Sequence, residues 1–302
     1  MKVAVAGPNG TLGQAVISNL IKSNISVTVL TRDAKKTAGV FPAVSTENIV
    51  ETDYSSVDAL APKLQGHDAI VILIERNAYT PQIVAIDAAI AAGVRRIIPS
   101  SWGLDMSDPY LRTIPTLKEK LDMETYLAER ARSHKGFVWT GILTGVFWDW
   151  ALPLGLLVDP TGEGMTYIMD GGGHVICGTL LDDVGRAVVS ALKAPEEAVG
   201  NKFLQIRSVV ATQSKLLEWA KAVKPEAPWK SMNVDTEKME KAAREAWGRG
   251  ERDPRALRGF LLRAYALGAS DFKHLDNELL GVADGGEELA RKTLEQLIRP
   301  KS

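Results

Sequence analysis

The stretch VAVAGPNGTLGQAVISNL, at residues 3–20, decides the fold of this chain. It opens with apolar and β-branched residues typical of a buried parallel strand, and from Leu12 onward the apolar residues recur at helical spacing. Between the two patterns stand Gly7, Gly10 and Gly13, in the order G-x-x-G-x-x-G. In such a strand–loop–helix unit the first glycine permits a tight turn, the second lets a ligand approach the backbone, and the third lets helix and strand pack closely.

This glycine loop predicts a site for the pyrophosphate of a dinucleotide. The N-terminus of the following helix offers free N–H groups and the positive end of its dipole to an anion. A glycine triad is a weak signal outside this context, and a purely structural turn is the alternative. We expect the loop to contact the dinucleotide through Gly7, Asn9, Gly10, Thr11, Leu12 and Gly13.

The end of the second predicted strand, residues 26–30, indicates which dinucleotide binds. An NAD site usually carries Asp or Glu there, which accepts hydrogen bonds from the ribose hydroxyls. This chain has Thr31 followed by Arg32, and a guanidinium can bind a 2′-phosphate through two hydrogen bonds. Lys36 adds positive charge nearby, whereas Asp33 could pair with Arg32 instead. The pattern favours NADPH/NADP+ as the cofactor, and an ordinary solvated charge cluster is the alternative.

Strand and helix patterns alternate over the first 150 residues. Repeated βα units joined by short loops predict an α/β fold of the Rossmann type, with a doubly wound parallel sheet. Further strands are predicted at residues 49–53, 69–74, 95–99 and 137–143. Because ligands of such sheets lie over the carboxyl ends of the strands, more residues should face the cofactor cleft. These residues are Ile74, Glu75, Ser100 and Trp102.

The alternation breaks beyond residue 150, which predicts a second, smaller unit. This unit is expected to be mostly helical and to bind the substrate by closing over the cleft. The predicted domains are 1–150, completed by 174–195, for the cofactor, and 151–173 with 196–302 for the substrate. Residues 167–169 and 175–177 are expected to pair as a short hairpin across a glycine-rich turn.

Composition excludes several classes of function. The chain has 302 residues and a net charge of −1, which gives no general attraction to nucleic acid or to an anionic membrane. The chain contains no stretch of about 20 uncharged apolar residues, so no membrane span is predicted. One cysteine and four scattered histidines indicate a reducing compartment and no metal site. We therefore expect a cytoplasmic protein, either a monomer or a homodimer.

Lys118 is the candidate for proton transfer. Many short-chain dehydrogenases use Tyr-x-x-x-Lys, but none of the six tyrosines here has a lysine four residues later. Thr116 and Glu119 have the spacing of a capping box, so Lys118 should lie in the first turn of a helix. The helix dipole opposes a cation there, and burial in the cleft would lower the pKa of Lys118 further. A solvated helix lysine is the alternative.

Six segments carry a resemblance to a known family: GPNGTLG, VLTRD, GVRRIIPSSWG, LKEKLDMETYL, TGVFWDW and DNELLGVADGG. They are spread over most of the chain. In these segments the chain resembles the isoflavone reductase and phenylcoumaran benzylic ether reductase branch of the NmrA-like atypical short-chain dehydrogenases, in its fungal or microbial members. The resemblance implies NADPH binding and reduction of aromatic substrates. It places the proposed catalytic lysine on Lys118, a second lysine on Lys120, and cofactor contacts at Val146 and Phe147.

The substrate side departs from the family pattern. The segment after the fifth strand is usually Pro-Ser-Glu-Phe-Gly, but residues 99–103 read Pro-Ser-Ser-Trp-Gly, and Gly145 stands where plant relatives often carry Asn. The plant substrates therefore do not transfer to this chain. An aromatic substrate wall is expected from Trp102, Phe147, Trp148 and Trp150. Core packing between the two domains is the alternative for the last three.

These observations favour an NADPH-dependent reductase of a small aromatic or conjugated substrate. The reducible group could be a carbonyl, an imine, an enone or a benzylic ether. Hydride would come from the nicotinamide, and Lys118 would supply the proton or anchor the nicotinamide ribose. The alternative of another class is a non-catalytic redox sensor of the NmrA type. An epimerase or dehydratase ranks last, because it would normally need the missing tyrosine or a pair of acids.

Overall fold

The computed structural model describes residues 1–75 and 78–299. Within them the strands are β1 (Lys2–Ala6), β2 (Ser26–Thr31), β3 (Ile49–Glu51), β4 (Ala69–Ile72), β5 (Arg96–Ile98), β6 (Val138–Leu143), β7 (Val146–Phe147), β8 (Met165–Met169), β9 (Val175–Thr179), β10 (Lys202–Gln205), β11 (Val209–Thr212) and β12 (Lys230–Val234). The helices are α1 (Gly13–Lys22), α2 (Ala34–Val40), α3 (Val57–Leu64), α4 (Tyr79–Ala91), α5 (Lys118–Ser133), α6 (Trp148–Ala151), α7 (Leu181–Lys193), α8 (Glu196–Val199), α9 (Gln213–Val223), α10 (Thr236–Gly248), α11 (Arg258–Ala266) and α12 (Gly286–Ile298).

A seven-stranded sheet in the order β10-β6-β5-β4-β1-β2-β3 forms the centre of the molecule. Every pairing in it is parallel, which confirms the predicted Rossmann-type α/β fold. The chain passes from β1 outward to β2 and β3, and then returns to place β4 on the other side of β1. This reversal next to β1 is the point where such sheets leave a crevice for a ligand.

The centre of the sheet is buried on both faces because strands β1 and β4 are almost wholly apolar. Along β1, Val3 and Val5 belong to one core cluster and Ala4 and Ala6 to the other. The small residues of α1 and α7 let these two helices touch, since a Cβ at Gly185 would lie 2.6 Å from the Ala15 carbonyl oxygen. The carboxyl ends of the strands are consequently held at one rigid edge.

The seventh strand, β10, was not predicted. It pairs with β6 over Lys202–Gln205, so part of the segment assigned to the substrate domain completes the cofactor sheet. The backbone N–H of Gln205 donates to the Asp276 carboxylate at 2.8 Å, which also ties a late segment of the chain to this edge. A four-residue strand carries too little periodicity to be recognised in sequence.

The predicted hairpin between residues 167–169 and 175–177 is wrong. Strand β8 pairs in parallel with β12, while β9 lies between β11 and β7. The turn predicted between them does form, with positive φ at Asp170, Gly171 and Gly172, but it sends the chain to a different sheet. The C-terminal unit is therefore a mixture of helices and short strands. Within the described residues, no helix combines the length and the apolar character needed to cross a membrane.

Candidate functional site

A cleft of roughly 470 Å³ opens at the carboxyl ends of β1, β2 and β4. It lies at the reversal of strand order, where the fold places ligands. Half of the residues predicted to bind the cofactor line it: Gly7, Asn9, Gly10, Thr31, Arg32, Lys36, Ile74 and Glu75. The structure thus brings together three segments that are far apart in the sequence.

The three glycines of the loop have different physical reasons to be glycine. A Cβ on Gly13 would lie 1.5 Å from the Pro8 carbonyl oxygen, and a Cβ on Gly7 would lie 2.8 Å from the Ile74 nitrogen. Gly7 also has a φ of +78°. The nearest atoms to a Cβ on Gly10 are 3.9 Å away. The protein itself therefore needs the first and third glycines, whereas the second leaves open space beside the cleft.

The start of α1 is available to an anion. No side chain caps this helix, and its N-cap position is Leu12, whose side chain is buried in the core. Thr11 is exposed just before it. The first N–H groups of a helix have no partner within the helix, so they can be satisfied by a phosphate that lies against the loop. The uncapped end fits the predicted pyrophosphate position.

The cationic side chains at the end of β2 are free to bind a ligand. Asp33 does not pair with Arg32, because its carboxylate caps α2 by accepting from the Lys36 backbone N–H at 2.9 Å. Within the described part of the chain, Arg32 makes no ion pair or hydrogen bond through its side chain, and it is exposed at the cleft with Lys36. Two uncommitted cations beside a cleft are the donors that a phosphate monoester requires.

A cluster of threonine hydroxyl groups links the glycine loop to the residues after β2. The Thr31 and Thr37 hydroxyls lie 2.8 Å apart, and the Asn9 Nδ2 donates to Thr37 at 3.0 Å. Thr37 in turn donates to the Asp33 carbonyl oxygen at 2.7 Å. These bonds hold the glycine loop against the end of β2, so the predicted pyrophosphate and 2′-phosphate positions are fixed relative to each other.

Tyr54 lines the same cleft and was not predicted from the sequence. Its hydroxyl donates to the Leu30 carbonyl oxygen at 2.7 Å and accepts from the Gly7 N–H at 3.2 Å. Burial raises the pKa of Tyr54 well above its usual value, so the hydroxyl keeps its proton. A single tyrosine after a short strand has no distinctive spacing, and nothing in the sequence pattern indicates this contact.

Trp102 follows β5 and Phe147 ends β7, and neither of these two predicted residues lines the cleft. Both are partly buried against the core cluster that contains β1. The loop after β5 is held by backbone bonds, since the Thr144 and Gly145 N–H groups both donate to the Gly103 carbonyl oxygen. Lys120 adds two hydrogen bonds from its Nζ, at 3.0 Å to the Trp102 carbonyl oxygen and 3.1 Å to that of Leu104.

The Trp102 indole N–H is buried and has no hydrogen-bond partner among the described residues. A buried donor without a partner is costly, and the indole N–H of Trp139 is in the same position. Ser100, two residues before Trp102, lines a much smaller cavity with Lys120 and Glu124. Val146 packs against the core of the C-terminal unit instead of lining the cleft.

The structure contradicts the predicted pKa of Lys118. It does stand at the first position of α5, but a short 3₁₀ turn precedes the helix and Thr116 forms no capping box. Its Nζ lies 2.5 Å from the Asp122 carboxylate and its side chain is 74% exposed. This ion pair raises the pKa of Lys118 from its ordinary value, so the expected lowering was wrong. The helix dipole acts in the predicted direction, but a carboxylate in direct contact outweighs it.

The aromatic residues of the segment after β6 separate into two groups. Trp148 has no exposed surface and its indole N–H donates to the Thr293 hydroxyl at 2.9 Å. It belongs to the core of the C-terminal unit, which favours the packing alternative and removes it from the substrate wall. Trp150 is 42% exposed and stays available to a ligand. No cluster of His, Cys, Asp or Glu among residues 1–75 and 78–299 has the geometry to hold a metal ion.

Residues 1–227 match the model of the NmrA-like family. Among curated proteins, the chain is 30% identical over 289 residues to the oxidoreductase aprR of Aspergillus flavus, covering 93% of this chain and 94% of that protein. It is 28% identical over 224 residues to the oxidoreductase poxI of Penicillium oxalicum, covering 72% of this chain and 68% of that protein.

Solved structures share the whole fold at low sequence identity. Leucoanthocyanidin reductase from Vitis vinifera, in its complex with NADPH, superposes with a TM-score of 0.74 at 18% identity over 99% of both chains. The NADPH-dependent quinone oxidoreductase QOR2 of Escherichia coli superposes with a TM-score of 0.72 at 18% identity, over 98% of this chain and 100% of that one. Triphenylmethane reductase from Citrobacter, complexed with NADP(H), gives a TM-score of 0.72 at 17% identity over 98% and 100%.

Proposed function

Because the chain belongs to the NmrA-like family, we propose that it is an NADPH-dependent reductase of a small aromatic or conjugated compound. The observation that carries the proposal is the pair of uncommitted cations, Arg32 and Lys36, at the end of the cleft that the glycine loop opens. The oxidoreductase names of the fungal relatives and the NADPH-bound structures of the same fold support it.

The residues that line the cleft suit the pyrophosphate and the 2′-phosphate of NADPH. The open space at Gly10 and the uncapped start of α1 would receive the pyrophosphate. Arg32 and Lys36 would bind the 2′-phosphate, and the unpartnered Trp102 N–H would donate to an acceptor at the far end of the site. When bound, the cofactor supplies the hydride, and the protein supplies orientation and electrostatics.

Lys118 fits an anchoring role better than that of a tuned acid. Its raised pKa keeps the ammonium group protonated at neutral pH, where it can donate hydrogen bonds to ribose hydroxyls or to a substrate oxygen. An acid matched to neutral pH would instead need a lowered pKa. We propose that Lys118 leaves Asp122 to make this contact when cofactor and substrate are bound.

The substrate is proposed to be planar and aromatic or conjugated, with a carbonyl, imine, enone or benzylic ether as the group that is reduced. Of the predicted aromatic wall, Trp102 and Phe147 are partly exposed and Trp150 is exposed. Stacking on such rings favours flat ligands. The division into cofactor and substrate domains, a cytoplasmic location, the lack of nucleic-acid binding and a monomeric or homodimeric state stay predictions from the sequence.

The test is NADPH oxidation, followed by the loss of nicotinamide absorbance, with a panel of aromatic aldehydes, quinones, imines, enones and benzylic ethers. Wild type and Lys118→Ala are compared after both are shown to bind NADPH. We expect turnover with at least one class and a large loss of kcat in the variant. Tight NADPH binding without turnover of any compound would favour the redox sensor, whereas undiminished turnover in Lys118→Ala would remove Lys118 from the reaction.

A further inference from the structure

The Tyr54 hydroxyl occupies an unusual place between two neighbouring strands. It lies 2.7 Å from the Leu30 carbonyl oxygen, at the end of β2, and 3.2 Å from the Gly7 nitrogen, just past the end of β1. The Gly7 nitrogen and the Leu30 oxygen are themselves 3.4 Å apart. The hydroxyl therefore lies beside a long backbone hydrogen bond. It forms a shorter hydrogen bond with the donor of that bond, the Gly7 N–H, and with its acceptor, the Leu30 carbonyl oxygen.

This arrangement changes how the parallel ladder ends. Regular pairing of β1 with β2 runs to Ala6 and Leu30, and the Gly7–Leu30 bond would be the next rung. If it closed to a normal length, the start of the glycine loop would be drawn toward β2. On its other side the loop is already against β4, because a Cβ on Gly7 would lie 2.8 Å from the Ile74 nitrogen. The hydroxyl and Ile74 together fix the loop from both sides.

The backbone of Tyr54 is itself held in a rare conformation. Its φ is +56°, a left-handed value that few residues other than glycine adopt. Such conformations persist only where the surroundings impose them, and they concentrate at binding sites. Only 7% of the Tyr54 surface is exposed, although the residue lines the cleft. The turn after β3 thus directs a ring into the wall beneath the loop, with its hydroxyl at the loop's first residue.

We propose that Tyr54 is a positioning residue that holds the glycine loop open for the pyrophosphate of the cofactor. The inference rests on the proposed function, because it assumes that this loop binds NADPH. It adds a residue outside the loop and outside the cationic corner, and it acts through Gly7 without contacting the phosphates. Removing the hydroxyl should let the Gly7–Leu30 rung close and shift the loop, while the site for the 2′-phosphate stays intact.

The test compares Tyr54→Phe with wild type for two ligands, NADPH and adenosine 2′-monophosphate, by titration calorimetry. The second ligand reaches Arg32 and Lys36 but has no pyrophosphate. Because the shifted loop would have to break the closed Gly7–Leu30 hydrogen bond to receive the pyrophosphate, we expect the Kd for NADPH to rise roughly tenfold. The Kd for adenosine 2′-monophosphate should stay within about twofold, which general damage to the fold would not allow.

Tyr126→Phe is the matched control, because Tyr126 also loses a phenolic hydrogen bond, to Asp87, on a helix away from the loop. It should bind both ligands as wild type does. Should Tyr54→Phe fail to fold, Tyr54→Asn removes the hydroxyl with a residue that tolerates positive φ, and the same selective loss is expected. An unchanged Kd for NADPH, or equal weakening of both ligands, would overturn the inference. Failure of wild type to bind NADPH would instead overturn the proposed function.

Discussion

The two ends of the site are built in different ways. The end at β1 and β2 is made by local backbone: the glycine loop, the start of α1 and the turn that Asp33 caps all lie within the first 40 residues. The end at β5 and β6 depends on contacts between distant segments, such as Lys120 with Trp102 and Thr144 with Gly103. The backbone of the first end is therefore in place without a ligand, and its uncapped helix start, Arg32 and Lys36 are left for one to bind. The second end holds an unpartnered indole N–H and an exposed Lys118.

This difference teaches that cofactor binding and substrate chemistry can be changed separately. Backbone geometry at the first end leaves little freedom for side chains, because Gly7 and Gly13 are surrounded by main-chain atoms. At the second end the candidate positions are side chains outside the seven-stranded sheet, which can vary without disturbing it. Substitutions at the two ends should consequently differ in whether they change folding, cofactor affinity or turnover.

The largest effect is expected at the glycine loop itself. Gly13→Ala places a methyl group 1.5 Å from the Pro8 carbonyl oxygen, so it should destabilise the fold by at least about 3 kcal/mol. The added methyl group of Gly10→Ala has no neighbour closer than 3.9 Å, so the free energy of unfolding of this variant should lie within about 0.5 kcal/mol of the wild-type value. Urea denaturation measures both. NADPH titration of Gly10→Ala should show an increase in Kd of about tenfold or more, since only the ligand needs that space. Similar free energies of unfolding for the two variants would contradict the view that the fold needs Gly13 and only the ligand needs Gly10.

The tryptophans after β6 give the next largest effect. Trp148→Ala removes a completely buried ring and its bond to Thr293, at a cost of about 3–5 kcal/mol in unfolding free energy. Trp150→Ala removes a partly exposed ring and should change that free energy by less than about 0.5 kcal/mol. Thermal unfolding separates the two. If Trp150 contacts substrate, its variant raises KM while its affinity for NADPH stays that of wild type, and an unchanged KM would remove it from the substrate wall.

How much could be predicted from sequence follows the same division. Strands β1 to β6, the glycine loop and a cation at the end of β2 were predictable because each depends on a few consecutive residues. Lys118 was placed at the right point of α5, but its pKa was predicted in the wrong direction because Asp122 competes with the dipole. Trp148 and Trp150 look alike in sequence, and only packing against the C-terminal unit distinguishes them. Tyr54 could not be predicted, since its role depends on the distance between two strands.

Arg32→Ala should produce an intermediate effect confined to one cofactor. Loss of a guanidinium that binds a phosphate costs about 1.5–3 kcal/mol, which is roughly a 10- to 150-fold increase in the Kd for NADPH. The Kd for NADH should not change, because it has no 2′-phosphate. Lys35→Ala is the matched control, since Lys35 is equally exposed next to the cleft but does not line it. Equal weakening of NADPH and NADH by Arg32→Ala would show that the residue binds some other part of the cofactor.

The smallest expected effect is a kcat that does not change with pH, and it concerns Lys118 at the second end of the site. Asp122 raises the pKa of Lys118 above its ordinary 10.5, and even the ordinary value keeps the ammonium protonated through neutral and mildly alkaline pH after Lys118 leaves Asp122. For an anchoring Lys118, kcat should therefore stay level from about pH 6 to about pH 9. Lys118→Met should lower kcat by the same factor at every pH, and Lys118→Arg should restore part of it because arginine also donates hydrogen bonds. A decline of wild-type kcat near neutral pH that disappears in Lys118→Met would show instead that ligand binding lowers the pKa and makes this lysine the proton donor.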